Sequence, residues 1–403
     1  MINRIIQQTL TGRNSTGKFL FMQKIKFLSA LFVFLWSMTV FCSEKALYTL
    51  EYTGNRNTLF CNKKIVSFSD SARKHLTLYS KSSARDMIFL AYCGAFGSGI
   101  DIIDRDHEAQ KFAKEFAAVK ALDLPLFEII SPDYCRVNLA AWKFRKLPQQ
   151  WLFNIFCDSA KVFPDSEKFF KKYIAELIRT MPQFAAELKQ FSNSKQAKKY
   201  NPAYLPPHRI VSTRYLHVIS FLQSFAKLPQ KSPFIIAIDG RAASGKTTFA
   251  RQLALATGGD VIHMDDFFLP MELRTPERLS QAGGNVHYER FKTEVLPKLQ
   301  KTAPFSYRRF DCSKMQPGEM RHITSAHVRI VEGAYSLHPQ FGNYADLKVF
   351  FDISPAEQMN RIRKRNGERA AKIFAARWIP MEEKYIKFFN IRERADIITG
   401  TGH

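Results

Sequence analysis

The sequence predicts an α/β fold: a five-stranded parallel sheet flanked by helices over residues 213–403, preceded by a mainly helical accessory domain. Three observations lead there. Short, continuously apolar runs alternate with helical stretches in the second half of the chain, which is the pattern of a parallel sheet covered on both faces. One run leads directly into a glycine-rich loop and then a helix. Acidic residues follow at the carboxyl ends of later runs, where ligands bind in such sheets.

The five runs are Phe234–Ile238, Asp260–His263, Val328–Val331, Leu347–Phe351 and Asp396–Ile398. The first passes through Asp239 into Gly240-Arg-Ala-Ala-Ser-Gly245-Lys246-Thr247-Thr248, which is G-x-x-x-x-G-K-T. Each residue type has a reason. Gly240 and Gly245 allow backbone geometry and close phosphate approach that side chains would obstruct. The amides of Ala243, Ser244, Gly245 and their neighbours form an anion cradle at a helix N-terminus. Lys246 can reach β- and γ-phosphates, and the Thr247 hydroxyl can bind Mg²⁺.

The second run ends in His263-Met264-Asp265-Asp266-Phe267-Phe268, so Asp265 falls near a transferred phosphate, placed to orient or deprotonate a hydroxyl. A helix cap or salt-bridge partner is the bland alternative for it. The third run ends in Val331-Glu332-Gly333; Glu332 would face the metal, and Gly333 leaves room. Arg361 and Arg365 share one face of the helix after the fourth run. They could close over a nucleotide or form a solvated basic face.

The first half carries no motif that specifies chemistry. Residues 1–43 form a signal-like or anchor-like N-terminal segment. Its uncharged apolar stretch Phe27–Cys42 follows five basic residues and no acidic one. Three readings stand: an upstream extension from a misplaced start, a buried apolar helix, or an export or anchor signal. The run is short for a membrane span. Membrane contact through residues 27–42 stays open, and cytoplasmic residence is the leading localisation because an exported kinase would have no phosphoryl donor. Residues 44–192 read as the helical accessory domain, with helices over 108–122, 150–160 and 167–190. Residues 193–212 are polar, basic and proline-bearing, a linker. Gly94-Ala-Phe-Gly97-Ser-Gly99 lacks dinucleotide-fingerprint spacing.

Composition narrows the classes. With 403 residues, 46% hydrophobic and 24% charged, the chain is globular and long enough for two domains. The net charge of +24 is spread along the chain, without an arginine block or an RNA-binding aromatic signature, so polyphosphate handling explains it better than nucleic acid does. The six cysteines, 42, 61, 93, 135, 157 and 312, show no C-x-x-C spacing and read as isolated buried thiols.

Taken together, IDGRAASGKTTFA (238–250), VIHMDDFFLP (261–270), VEGAYSLHP (331–339), LKVFFDI (347–353) and WIPMEEKYIKFFNIRERADII (378–398) resemble the uridine kinase-like branch of the phosphoribulokinase/uridine kinase group. The resemblance spans roughly residues 206–403. It implies a P-loop kinase fold and phosphorylation of a nucleoside 5′-hydroxyl, uridine or cytidine first, by ATP or GTP with Mg²⁺. It implies Asp265 as catalytic base and Lys246, Thr247 and Glu332 as phosphate and metal residues, with Arg361 to Arg365 in the lid. Tyr307 falls where an aromatic contacts the nucleoside, and Phe268 where relatives often carry Tyr. His287 stands where an aspartate usually binds the ribose hydroxyls; neutral His can accept only one hydrogen bond. That opens alternatives: a kinase of another small hydroxylated metabolite such as a sugar or pantothenate, or an ATP-responsive protein whose basic N-terminal half binds RNA or a partner. Kinases of this type often assemble as homo-oligomers.

Overall fold

A computed structural model describes residues 48–53, 56–61, 67–99, 102–160, 165–190, 193–200, 202–229, 231–312 and 314–400. The apolar stretch 27–42 lies outside them. The described residues from Leu50 onward form one compact unit.

In chain order the strands are β1 (Tyr48–Thr53), β2 (Arg56–Cys61), β3 (Phe127–Ile129), β4 (Tyr134–Asn138), β5 (His208–Ser212), β6 (Phe234–Gly240), β7 (Asp260–His263), β8 (Phe305–Asp311), β9 (Gln316–Ile323), β10 (Val328–Glu332), β11 (Leu347–Asp352) and β12 (Ile397–Gly400). The helices used below are α1 (Gln149–Ser159), α2 (Leu216–Phe225), α3 (Lys246–Thr257), α4 (Tyr288–Glu294), α5 (Pro355–Ile373) and α6 (Ile379–Phe388).

The five expected strands pair in parallel in the order β12-β11-β6-β10-β7. Every residue of β6 and of β10 is buried, which is why these segments read as mostly apolar runs, with Asp239, Arg329 and Glu332 the charged exceptions. The chain steps from β6 to β7 and β10 on one side and to β11 and β12 on the other. β6 is therefore the topological switch point, and a crevice opens at its carboxyl end. Register sets Gly240 opposite Phe351, and Glu332 opposite both Ile238 and His263, so the chemical residues end level.

The N-terminal region differs from a separate helical domain. Strand β2 adds in parallel to β12, extending the main sheet, with β1 beyond it. Strands β3, β4 and β5 make an antiparallel sheet. Residues 193–212, expected as a linker, include a helix over Ser194–Lys198 and the whole of β5. The glycine-bearing stretch 94–99 is the end of the helix Ala84–Phe96, with Gly97 as its cap at φ 63°. Helix α1 packs on α3, the helix that follows the glycine loop. Asn154 Nδ2 there donates to Ala256 O at 3.0 Å, and Phe221 of α2 meets Phe249 of α3 edge-on at 5.3 Å.

Arg329 on β10 is wholly buried, yet no carboxylate pairs with it among the described residues. Its guanidinium donates to the carbonyls of Lys298, Leu299, Lys301, Ala303 and Thr324 at 2.5–3.1 Å. The cage ties residues 298–303, and Thr324 just after β9, to the central sheet. Each buried carbonyl left without a donor costs about 1–3 kcal/mol. Arg329→Met is expected to lower stability by about 3–5 kcal/mol after relaxation, read as a fall in the denaturation midpoint. An unchanged midpoint would show that the cage contributes nothing.

Candidate active site

The loop leaves β6 at Gly240, whose φ is 137° and where a Cβ would sit 2.1 Å from Phe351 O. No side chain fits there. Ala243 also takes a positive φ, 58°, a cost that the surrounding loop bonds hold in place. Gly245 is the N-cap of α3, so the loop amides collect at a helix N-terminus.

Lys246 is buried, and its Nζ donates to the carbonyls of Gly240 and Arg241 at 2.7 and 2.8 Å. Thr247 Oγ1 donates to Glu332 Oε2 at 3.1 Å. The other oxygen of Glu332 meets His263 Nδ1. Gly333 packs closely on the turn after β7, where a Cβ would come 2.9 Å from Met264 Cβ.

After β7 the backbone tightens into a 3₁₀ turn, which sends the two consecutive aspartates apart. Asp266 is buried, accepts from Tyr307 Oη at 2.9 Å, and has Arg321 Nε 3.6 Å away. Asp265 instead lines the cleft, and no hydrogen bond engages its carboxylate among the described residues. Surrounding protein, and then the charge of Glu332, push its pKa up, although the side chain still meets solvent.

Two hollows meet over Lys246 and Thr247. One, of about 360 Å³, is formed by the loop, Thr248, Arg361, Lys364 and Arg365. The other, of about 460 Å³, holds Asp265, Phe268, Glu332 and Trp378. Arg365 borders both, and Arg361 NH1 donates to Ala243 O at 3.3 Å while its Nε holds Glu357. Helix α5 breaks at Gly367, and a π-turn over Phe374–Trp378 carries Phe374 and Trp378 to the cleft. Such π-turns are frequent at functional sites.

Two expected substrate residues are not brought in. Tyr307 is buried against Phe267 with its hydroxyl on Asp266. His287 is the N-cap of α4: its Nδ1 accepts from Arg290 N at 3.1 Å, and burial lowers its pKa, which favours the neutral ring. Neither is among the residues lining the cleft. Of the cysteines, Cys93 and Cys135 are buried, but Cys312 is exposed at the cleft, a departure from the expectation of buried thiols.

Several residues escaped sequence reasoning. Asp239 accepts from the amides of Gly240, Tyr335 and Leu337 and from Tyr385 Oη. Arg241 joins Glu383 and Asp352, tying the loop to α6 and β11. Glu382 accepts from Ala242 N at 2.9 Å and lines the cleft. The acidic pair in WIPMEEKY was visible, but nothing local says that α6 returns to the loop.

The sheet order and the glycine loop between β6 and α3 define the class: a P-loop kinase fold. No family model matches the chain. It is similar to the pantothenate kinase of Lactiplantibacillus plantarum, 23% identical over 219 residues, 49% of this chain and 70% of that protein. Among solved structures it is similar to a possible uridine kinase from Bacillus stearothermophilus, at 19% identity and TM-score 0.36, covering 45% of this chain and 96% of that one. It is also similar to a protein assigned as a fructose transport system kinase from a Silicibacter species, at 23% identity and TM-score 0.37, covering 43% and 94%. All three are called kinases, and their names give three different acceptors. Among the described residues no helix is long and apolar enough to cross a membrane.

Burial raises the Glu382 pKa from an ordinary 4.5 to about 7. A carboxyl whose pKa is higher in the fold than in the unfolded chain stabilises the fold when protonated. That contribution is complete below pH 4.5 and is lost as pH rises to about 7. Glu382→Gln keeps an acceptor for Ala242 N and is expected to flatten this fall. Urea denaturation across the window measures it, and an unaltered slope would assign the pH dependence elsewhere.

Proposed function

We propose that this protein transfers the γ-phosphoryl group of ATP or GTP to a hydroxyl of a small metabolite. Uridine and cytidine are the acceptors that the sequence resemblance puts first. The observation that carries the reading is the junction of the two hollows. The phosphate loop with Lys246 lies on one side, and Asp265, the carboxylate lining the cleft that has no hydrogen-bond partner among the described residues, lies on the other.

In this reading the loop amides and Lys246 hold the donor phosphates, with Arg361 and Arg365 beside the moving charge. Asp265 accepts the proton of the attacking hydroxyl, and in-line placement supplies much of the acceleration. A hydroxyl from Thr247 and a carboxylate from Glu332 fit Mg²⁺, which binds through few protein oxygens and takes the rest from phosphate and water. When bound, Mg²⁺ supplies charge neutralisation at the phosphates. Burial of the Glu332 carboxylate, shared between Thr247 and His263, holds that group in place.

The test is transfer from [γ-³²P]ATP by the full chain to uridine, cytidine, deoxynucleosides, pantothenate and simple sugars. A labelled acceptor is expected, and Asp265→Asn should reduce kcat by about 10²–10⁴ while leaving binding of an ATP analogue intact. Full turnover by Asp265→Asn would remove Asp265 as the base.

A further inference from the structure

The acceptor end of the cleft contains a cation without a counter-charge. Arg274 follows a 3₁₀ turn at Met271–Leu273, and its Nε donates to Leu269 O at 2.8 Å, which fixes the guanidinium's direction. Its terminal amines have no acid partner among the described residues. Arg241 has Glu383 and Asp352, and Arg361 has Glu357; Arg365, which bonds Asn366, borders the phosphate-loop hollow as well, whereas Arg274 lines only the hollow that holds Asp265. Arg274 lines the same cleft as Asp265, and the Cys312 thiol on that wall feels the charges of both. Desolvation weighs against the charge on Arg274, the Cys312 thiol partly offsets that penalty, and the like charge of Arg377 adds to it. A partly desolvated guanidinium is costly unless something anionic meets it.

Asn285 supplies a second, independent observation. It is 5% exposed, lines the cleft, and has an Oδ1 without a hydrogen-bond partner. Buried polar atoms are rarely left so, and an unengaged acceptor at a cavity wall points to a donor on the ligand.

We propose that the acceptor is an anion: a small hydroxylated carboxylate or phosphate ester, held by Arg274 at its negative end and by Asn285 at a second hydroxyl or amide. Its phosphorylatable hydroxyl faces Asp265, and the negative group lies at the Arg274 end because Asp265 and Glu332 repel it from the transfer point. This inference rests on the phosphotransferase reading and narrows its acceptor. Arg, with its planar fork, suits either carboxylate or phosphate.

The test uses matched pairs with the full chain and Mg·ATP: pantothenate against pantothenol, glycerate against glycerol, ribulose 5-phosphate against ribulose, with uridine and cytidine alongside. One charged member is expected to be phosphorylated well above its neutral partner, and the pair showing this tells carboxylate from phosphate. Arg274→Gln should then raise the KM of that acceptor by about tenfold to a hundredfold with kcat nearly unchanged, and Arg274→Lys should recover part of the loss. Binding of an ATP analogue and thermal melting are expected to stay at the parent values in both variants. Transfer to neutral members or nucleosides alone, or an Arg274→Gln enzyme with the parent KM, overturns the anionic acceptor and leaves the kinase reading standing. Transfer to none of these compounds by a chain that still binds the ATP analogue counts against both.

Discussion

The architecture depends on the point where β6 leaves the sheet. There the carbonyl of Phe351 occupies the space of a Cβ on Gly240, so two backbones touch where other residues would hold them apart. β6 is hydrogen-bonded on both edges and buried along its length, so its end cannot shift without disturbing β10 and β11. The loop inherits that rigidity. A phosphate cradle built from amides works only if those amides are held before the ligand arrives, and the central strand of a parallel sheet is the stiffest support available.

The acids near Lys246 are sorted by what already engages them. Asp239 is consumed by three backbone amides and a tyrosine hydroxyl, which braces the turn after β10. Glu332 is shared by Thr247 and His263, and Glu382 is spent on Ala242. Asp266 lies beneath the cleft on Tyr307. Asp265 remains with free lone pairs, and its raised pKa follows from crowding and from Glu332 rather than from any bond. Gathering carboxylates around one lysine is costly in a buried setting. The arrangement persists because nearly every other acid is satisfied by fixed donors.

The N-terminal region braces this machinery. Asn154 donates to the Ala256 carbonyl near the end of the loop helix, and His217 and Phe221 of α2 pack against Phe249 of that helix, with His217 also against Phe351 of the sheet. Strand β2 covers the edge that β12 would otherwise present, and open sheet edges invite unwanted pairing.

The sequence by itself determined the five parallel strands, the glycine loop and the positions of Lys246, Thr247, Asp265 and Glu332. These are local matters: apolar runs mark doubly covered strands, and the loop chemistry is contiguous in the chain. Only the tertiary structure decided that β1 and β2 extend the sheet, that residues 193–212 are folded, and that Tyr307 and His287 turn to structural tasks. It alone brought Glu382 and Arg274 to the cleft and Glu383 to Arg241 of the loop. Those outcomes depend on contacts between segments far apart in the chain: Arg241 meets Glu383, 142 residues away, and Asn57 of β2 pairs with Ile397 of β12. Whether a polar side chain serves a ligand or a neighbour is settled by which partner reaches it first in space, and periodicity along the chain carries no record of that.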